Sequence, residues 1–228
     1  MTSAYIARAV SASASTTDAA TDTPLRFGGE PEVMIPPGAA CLSEPVKFDA
    51  APGTNPAAGF HLDQPAYPGT GHADANQTMY VVHGVQVAAA QFHGAATMDH
   101  WCWLTGVEVG TGAPNRCVAA SGDSITDGWR SDINGNDRWP DDLSSRLDNN
   151  EATRSVCVLR EGISGNRILI DGGGPSAPAR SDRDVLSQPG VRCVIILEGI
   201  NDLGNPAFEG HVAPADIHFP AQQLINAD

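Results

Sequence analysis

Positive charge is scarce in this chain. Lys and Arg number 13 against 27 Asp and Glu, a formal net charge of −14 over 228 residues. Nucleic acid and anionic membrane surfaces are bound through clustered cations, so neither is an expected partner. Long apolar runs are missing too, and none approaches the roughly 20 residues that span a bilayer. Met1 to Thr23 has one cation, Arg8, and lacks the basic start and apolar middle of a secretory leader. That leaves the compartment open. Five cysteines is an odd number, with no C-x-x-C pair among them. The histidines at 61, 72, 83, 93 and 100 are scattered and fit no zinc spacing, so no metal is expected. Gly172-Gly173-Gly174 has no following Lys-Ser/Thr, which argues against a phosphate loop, and no cofactor is called for.

What is abundant is punctuation. With 24 Gly, 17 Pro and only 18% charged residues, much of the chain reads as loop and turn. Residues 1–24, rich in Ala, Ser and Thr, read as a flexible lead-in. Residues 25–112 read as a β-rich region. Glu32–Ile35, Thr78–Ala88 and Trp101–Val109 are its strand-like runs, and 49–76 reads as a long loop. From 113 to 228 the rhythm becomes strand, loop, helix, which builds a parallel sheet with flanking helices. The strands are expected near 117–121, 155–159 and 192–198. Trp139, Leu143 and Leu147 recur on one helical face, with Pro140 in the first turn and Asp141 and Asp142 at the positive end of the dipole. Ser181-x-x-Asp184 reads as a capped start of a second helix, ended by Pro189-Gly190. A third helix is expected over 214–227, shifted or kinked by Pro220. Cys117, Cys157 and Cys193 lie in apolar runs and read as small buried hydrophobes. Cys41 and Cys102 are the pair left open to a disulfide.

Chemistry concentrates just past the strands. Gly122-Asp123-Ser124-Ile125-Thr126 follows the first, Gly162-Ile163-Ser164-Gly165-Asn166 the second, and Gly199-Ile200-Asn201-Asp202 the third. The carboxyl ends of parallel strands are where α/β sheets place ligands. A serine hydroxyl there can act as a nucleophile once its proton is taken. Small N–H donors beside it can hold the oxyanion that forms.

These segments, in this order, resemble the SGNH (GDSL-type) hydrolases. Arg138-Trp139-Pro140-Asp141, Gly174-Pro175-Ser176-Ala177, Arg183-Asp184-Val185-Leu186 and Gln188-Pro189-Gly190 extend the likeness, which looks nearest to the bacterial arylesterase/acylhydrolase branch. The resemblance implies a flavodoxin-like α/β fold, with the first strand between the second and third, and a serine esterase acting on small acyl esters. Acetylated carbohydrate is one such class. It implies Ser124 as nucleophile and the Ser124 N–H, the Gly165 N–H and the Asn201 amide as oxyanion donors. Asp123 and Asp202 stand beside them as binding or bracing residues. Relatives end in an Asp-x-x-His that supplies the base and its orienting carboxylate. None of the seven histidines here has an aspartate three residues before it, and Asp216-Ile217-His218 has the wrong spacing. Arg160-Glu161 stands where relatives carry an asparagine. The expectation is therefore a partial hydrolase domain, truncated at both ends, with feeble or no esterase activity and an uncovered apolar sheet edge. His211 and His218 are the candidates for a substitute base.

Blander readings stand beside these. Ser124 fits a helix N-cap, Gly165 a turn glycine, and Asn201-Asp202 a turn or cap. A ligand-binding remnant of the same fold is the alternative function. A nucleotide-binding α/β protein is a weaker one. The oligomeric state is not legible.

Overall fold

The computed structural model describes residues 1–64, 69–110 and 116–204. The chain divides into two compact units. One is Met1–Val109 with Ile133–Gly135. The other takes up Gly110–Asp132 and resumes at Asn136.

The first unit is built on strands from its first residues. Strands β1 (Ser3–Ala9), β2 (Thr17–Pro24) and β3 (Pro56–His61) form an antiparallel sheet in the order β2-β1-β3. The flexible lead-in expected over 1–24 is thus corrected to two strands. The signal missed was Tyr5-Ile6 amid small residues: Ala4, Ile6 and Ala7 are buried, and β1 is paired on both sides. The long loop expected over 49–76 likewise contains β3, whose Ala57, Ala58, Gly59 and Phe60 pair with Ala7, Ile6, Tyr5 and Ala4. Small residues allow that pairing without any strand-like run in the sequence. Strand β4 (Gly71–His72) pairs with β7 (Trp101–Cys102), and β5 (Met79–Val81) pairs with β6 (Ala96–Met98). The expected strand at 32–35 is absent, with Met34 almost fully exposed, and the other two expected runs shrink to β5 and β7. A T-shaped contact between Phe60 and Trp103, with ring centroids 5.9 Å apart, joins β3 to the segment after β7.

The second unit holds the parallel sheet: β8 (Arg116–Gly122), β9 (Val156–Gly162) and β10 (Val191–Leu197), in the order β10-β8-β9. The positions and the central place of the Cys117 strand are as expected. Ala119 and Ala120 of β8 are fully buried. On β10, Cys193, Ile195 and Leu197 alternate and are exposed, so this face is uncovered among the described residues. Cys117 and Cys157, direct partners across β8 and β9, form a disulfide with Cα atoms 4.5 Å apart. This corrects the reading of both as free hydrophobes. Cys41, Cys102 and Cys193 are free thiols, so the bridge left open between Cys41 and Cys102 does not form.

Helix α1 (Ser124–Asp127) follows β8 directly, and α2 (Trp139–Asp148) packs on β9. The Arg138 N–H at the head of α2 donates to Asp141 Oδ2 at 3.2 Å. Helix α3 (Ala177–Ser181) runs into a π-helical turn (Asp182–Leu186). Its cap position is Ser176, five residues before the cap expected at Ser181, with Pro178 in the first turn, and Asp184 is paired with Arg180 and Arg183. Helix α4 (Ile200–Gly204) follows β10. The helix expected over 214–227, Pro220, Asp216, His211 and His218 lie outside the described residues. No helix among the described residues is long and apolar enough to cross a membrane.

Candidate active site

Three loops at the carboxyl ends of β8, β9 and β10 carry the candidate residues, and close backbone packing laces them together. Two glycines allow it. A Cβ on Gly122 would sit 2.7 Å from the Leu197 carbonyl oxygen, and one on Gly162 would strike the backbone of Thr126 and Asp127. Ile163 N–H donates to the Gly122 carbonyl at 2.9 Å, and Asp123 N–H to the Leu197 carbonyl at 3.3 Å. The loops after β9 and β10 are thereby tied to the residues flanking Ser124.

Ser124 opens α1. The N-cap is Asp123, whose carboxylate accepts the Ile125 N–H at 3.0 Å, so Ser124 is not the cap. Being the first helical residue, Ser124 has an N–H with no intrahelical partner. Neither that N–H nor its hydroxyl has a hydrogen-bond partner among the described residues, and the residue is half-buried. Beneath it Thr126 is fully buried and accepts from Trp139 Nε1 at 3.3 Å. Asp127 ends the helix, and its carboxylate accepts the Ser164 N–H at 2.9 Å.

Gly165 sits in the left-handed region at φ +77° and is exposed. Its N–H has no partner among the described residues. Gly173 packs so tightly on the Ser164 carbonyl that a Cβ there would collide with it. This gives the glycine run at 172–174 a structural role: it braces the Gly165 turn from behind. Asn166 is fully buried, donating from Nδ2 to the Pro175 carbonyl at 2.7 Å.

Asn201 donates from Nδ2 to the Asn166 carbonyl at 2.9 Å. One hydrogen of that amide is used and the other is left. The structure therefore brings Asn201 against the peptide that follows Gly165. Asp202, buried, accepts the Ile168 and Leu169 N–H groups at 3.0 Å each. It ties α4 to the loop after β9 and does not act as a cap. The two carboxylates expected to bind or brace, Asp123 and Asp202, are thus both occupied by backbone N–H groups. Burial pushes the Asp123 pKa up; its bond from Ile125 opposes this, and the Asp202 charge adds to it.

Under these loops lies a group the sequence did not point to. Arg180 has a side chain 1% exposed, paired with Asp184 at 3.0 Å and Glu198 at 3.1 Å. Its one visible signal was the i, i+4 spacing to Asp184 in a cation-poor chain. Burial pushes the carboxyls of Glu161 and Glu198 up to about 7, although Arg180 opposes the rise in both. Arg160, at the position that departs from the resembled pattern, lies 3.8 Å from Asp141.

Histidines 61, 72, 83, 93 and 100 all belong to the first unit. No group of three or more potential metal ligands occurs among the described residues.

A family model described as the GDSL-like lipase/acylhydrolase family matches residues 120–226. No curated protein matches the chain significantly. Among solved structures, the chain is similar to that of AlinE4, described as an SGNH-hydrolase family esterase, at 21% identity and a TM-score of 0.41. It is similar at 21% and 20% identity, with TM-scores of 0.40 and 0.41, to two single-residue variants of the same esterase. Each match covers 51% of this chain and 55% of that one, so this chain spans about half the length of those esterases.

Proposed function

We propose that this chain, whose residues 120–226 match the model of the GDSL-like lipase/acylhydrolase family, is a serine esterase of the SGNH type acting on small acyl esters. Acetylated carbohydrate is a natural substrate class for such a site. The observation that carries the reading is the set of uncommitted donors: the Ser124 N–H, the Gly165 N–H and one hydrogen of the Asn201 amide, each at the carboxyl end of a different parallel strand. Donors fixed in advance are what a developing oxyanion needs, and removing one costs about 2.7–4 kcal/mol of barrier in well-studied serine hydrolases.

Ser124 Oγ attacks the ester carbonyl carbon, and the carbonyl oxygen becomes the oxyanion held by these donors. The alkoxide leaves as the acyl–Ser124 ester forms, and water then cleaves that ester. Each half needs a proton acceptor and donor. No hydrogen bond joins Ser124 Oγ to a base among the described residues, and this favours a second reading, a ligand-binding module of the same fold.

Mass spectrometry of the intact chain incubated with an aryl acetate separates the two. The esterase reading expects slow acetylation that maps to Ser124 and disappears in Ser124→Ala, with turnover limited to the residual rate of a site without its base, about 10³–10⁴ over water. Rapid turnover lost in Ser124→Ala would show a base supplied from outside the described residues. Phenol release that is equal in Ser124→Ala, with no acyl adduct, would sink the esterase reading.

A further inference from the structure

We propose that Arg180 is the positioning residue of this site: its guanidinium fixes the three strand-end loops in one register and so sets the spacing of Ser124, Gly165 and Asn201. The inference rests on the esterase reading for its catalytic meaning. Its structural content stands on the contacts alone.

A guanidinium has five N–H donors in a rigid plane. All five are used here. Nε donates to Asn166 Oδ1 at 2.8 Å. Nη1 donates to the Glu161 carbonyl at 2.7 Å and to Asp184 Oδ2 at 3.0 Å. Nη2 donates to the Gly122 carbonyl at 3.0 Å and to Glu198 Oε1 at 3.1 Å. The partners map onto the chemistry. Gly122 is two residues before Ser124. Glu161, the next-to-last residue of β9, is four residues before Gly165, and Asn166 directly follows Gly165. Glu198 is three residues before Asn201. Asn166 also accepts the Asn201 amide on its carbonyl, so Arg180 and Asn201 grip the same residue from its side chain and its backbone.

Stability alone is a poor reason for this arrangement. A buried ion pair costs several kcal/mol of desolvation per charge, and apolar replacements are often as stable or more so. Glu198 adds to the cost, since its Oε2 is buried without a partner. What an apolar side chain cannot do is hold two backbone carbonyls and three side chains at fixed angles. Lysine cannot do it either, because its three donors radiate from one nitrogen and form no fork.

The test compares the full chain with Arg180→Lys and Arg180→Met. A third variant, Ala119→Gly in the buried centre of β8, lowers stability without touching the loops. The probe is a fluorophosphonate. Ser124 Oγ forms a bond to phosphorus, the P–F bond breaks, fluoride leaves with its electron pair, and the hydroxyl proton passes to water. Phosphonylation is followed by intact mass and needs no turnover. The expected result is a rate at saturating probe about 10- to 100-fold lower in Arg180→Lys, as follows from misplacing reacting groups by about an ångström. Half-saturation should change little, and Ala119→Gly should stay near the parent rate. Labelling of Arg180→Lys at the rate of Ala119→Gly would overturn the proposal. Hydrogen exchange without probe is the second readout. Amides of 163–166 should exchange faster in Arg180→Lys and Arg180→Met than in Ala119→Gly at matched overall stability, and equal exchange would overturn it. If the parent chain is never labelled at Ser124, the esterase reading fails and the exchange comparison alone decides whether Arg180 registers the loops.

Discussion

Replacing Glu198 by Gln should change how the stability of this protein depends on pH, more than its stability at any one pH. The Glu198 side chain is fully buried, and burial raises its pKa from 4.5 to about 7, the Arg180 ion pair notwithstanding. In the unfolded chain the group loses its proton near pH 4.5; in the folded chain it keeps it until about 7. The stability tied to that proton is fully present below pH 4.5 and is lost as the pH rises toward the folded value. A tenfold difference in proton affinity is worth about 1.4 kcal/mol, so the loss is on the order of 3 kcal/mol. The Glu161 pKa is raised in the same way, but that residue is half-exposed, so its share is smaller. Glu198→Gln keeps an acceptor for Arg180 Nη2 and removes the titration. Urea unfolding at several pH values between about 4.5 and 7.5 measures both proteins. The other carboxylates act equally on the two, so the quantity to read is the difference. It should move in favour of Glu198→Gln by about 2–3 kcal/mol across that window, mostly below pH 7. Parallel stability curves would refute the reasoning, and so would a parent chain that gains on the variant as the pH rises.

Three further outcomes follow from single contacts. Gly173→Ala should lower stability by about 1–3 kcal/mol and slow phosphonylation of Ser124, because the new methyl displaces the Ser164 carbonyl that it meets; thermal melting and intact mass check both. Asp202→Asn should cost about 1–3 kcal/mol in urea unfolding, since one of the two N–H groups of Ile168 and Leu169 would face an amide NH₂ in place of a carboxylate oxygen. Removing the Cys117–Cys157 bridge, which spans a sequence separation of 40, should cost about 4 kcal/mol by the loop-entropy relation. Melting of the double Ala variant against the parent, with and without reductant, checks it: a reductant that lowers both equally would show that the bridge does not form.

The sheet of the second unit was legible because its strands read as continuous apolar runs: Cys117-Val118-Ala119-Ala120 in the centre of the sheet, and Val194-Ile195-Ile196-Leu197 at its edge, where Ile195 and Leu197 stay exposed. The site motifs were legible for a related reason, since each begins where its run stops. The first strands were not, because Ala-, Ser- and Thr-rich text carries no hydrophobic period, and β1 owes its place to partners on both sides. Nor could the disulfide be read: Cys117 and Cys157 meet through the register of β8 and β9, which no local pattern records. Arg180 was hidden for the same reason. Its carbonyl partners lie 58 and 19 residues away in sequence, and the nearby Asp184 suggested only a helix start.

The acids around Ser124 bear on where its proton can go. Asp123 and Asp127 bracket Ser124 in α1 and Asp202 lies in α4, and each accepts backbone N–H groups: Ile125, Ser164, and the pair Ile168 and Leu169. Their work is to lock the loops, and the burial that raises the Asp123 pKa weakens it further as a charged group. Asp202 accepts through both of its oxygens, so turning it toward an imidazole would cost it bonds worth about 1.5–3 kcal/mol each. On the proposed esterase reading the oxyanion donors lie at the strand ends, whereas no hydrogen bond joins the Ser124 hydroxyl to an acceptor among the described residues. The two functions are physically separable in this fold. A stoichiometric phosphonate, which tests the donors with water as the proton acceptor, reads the first without the second.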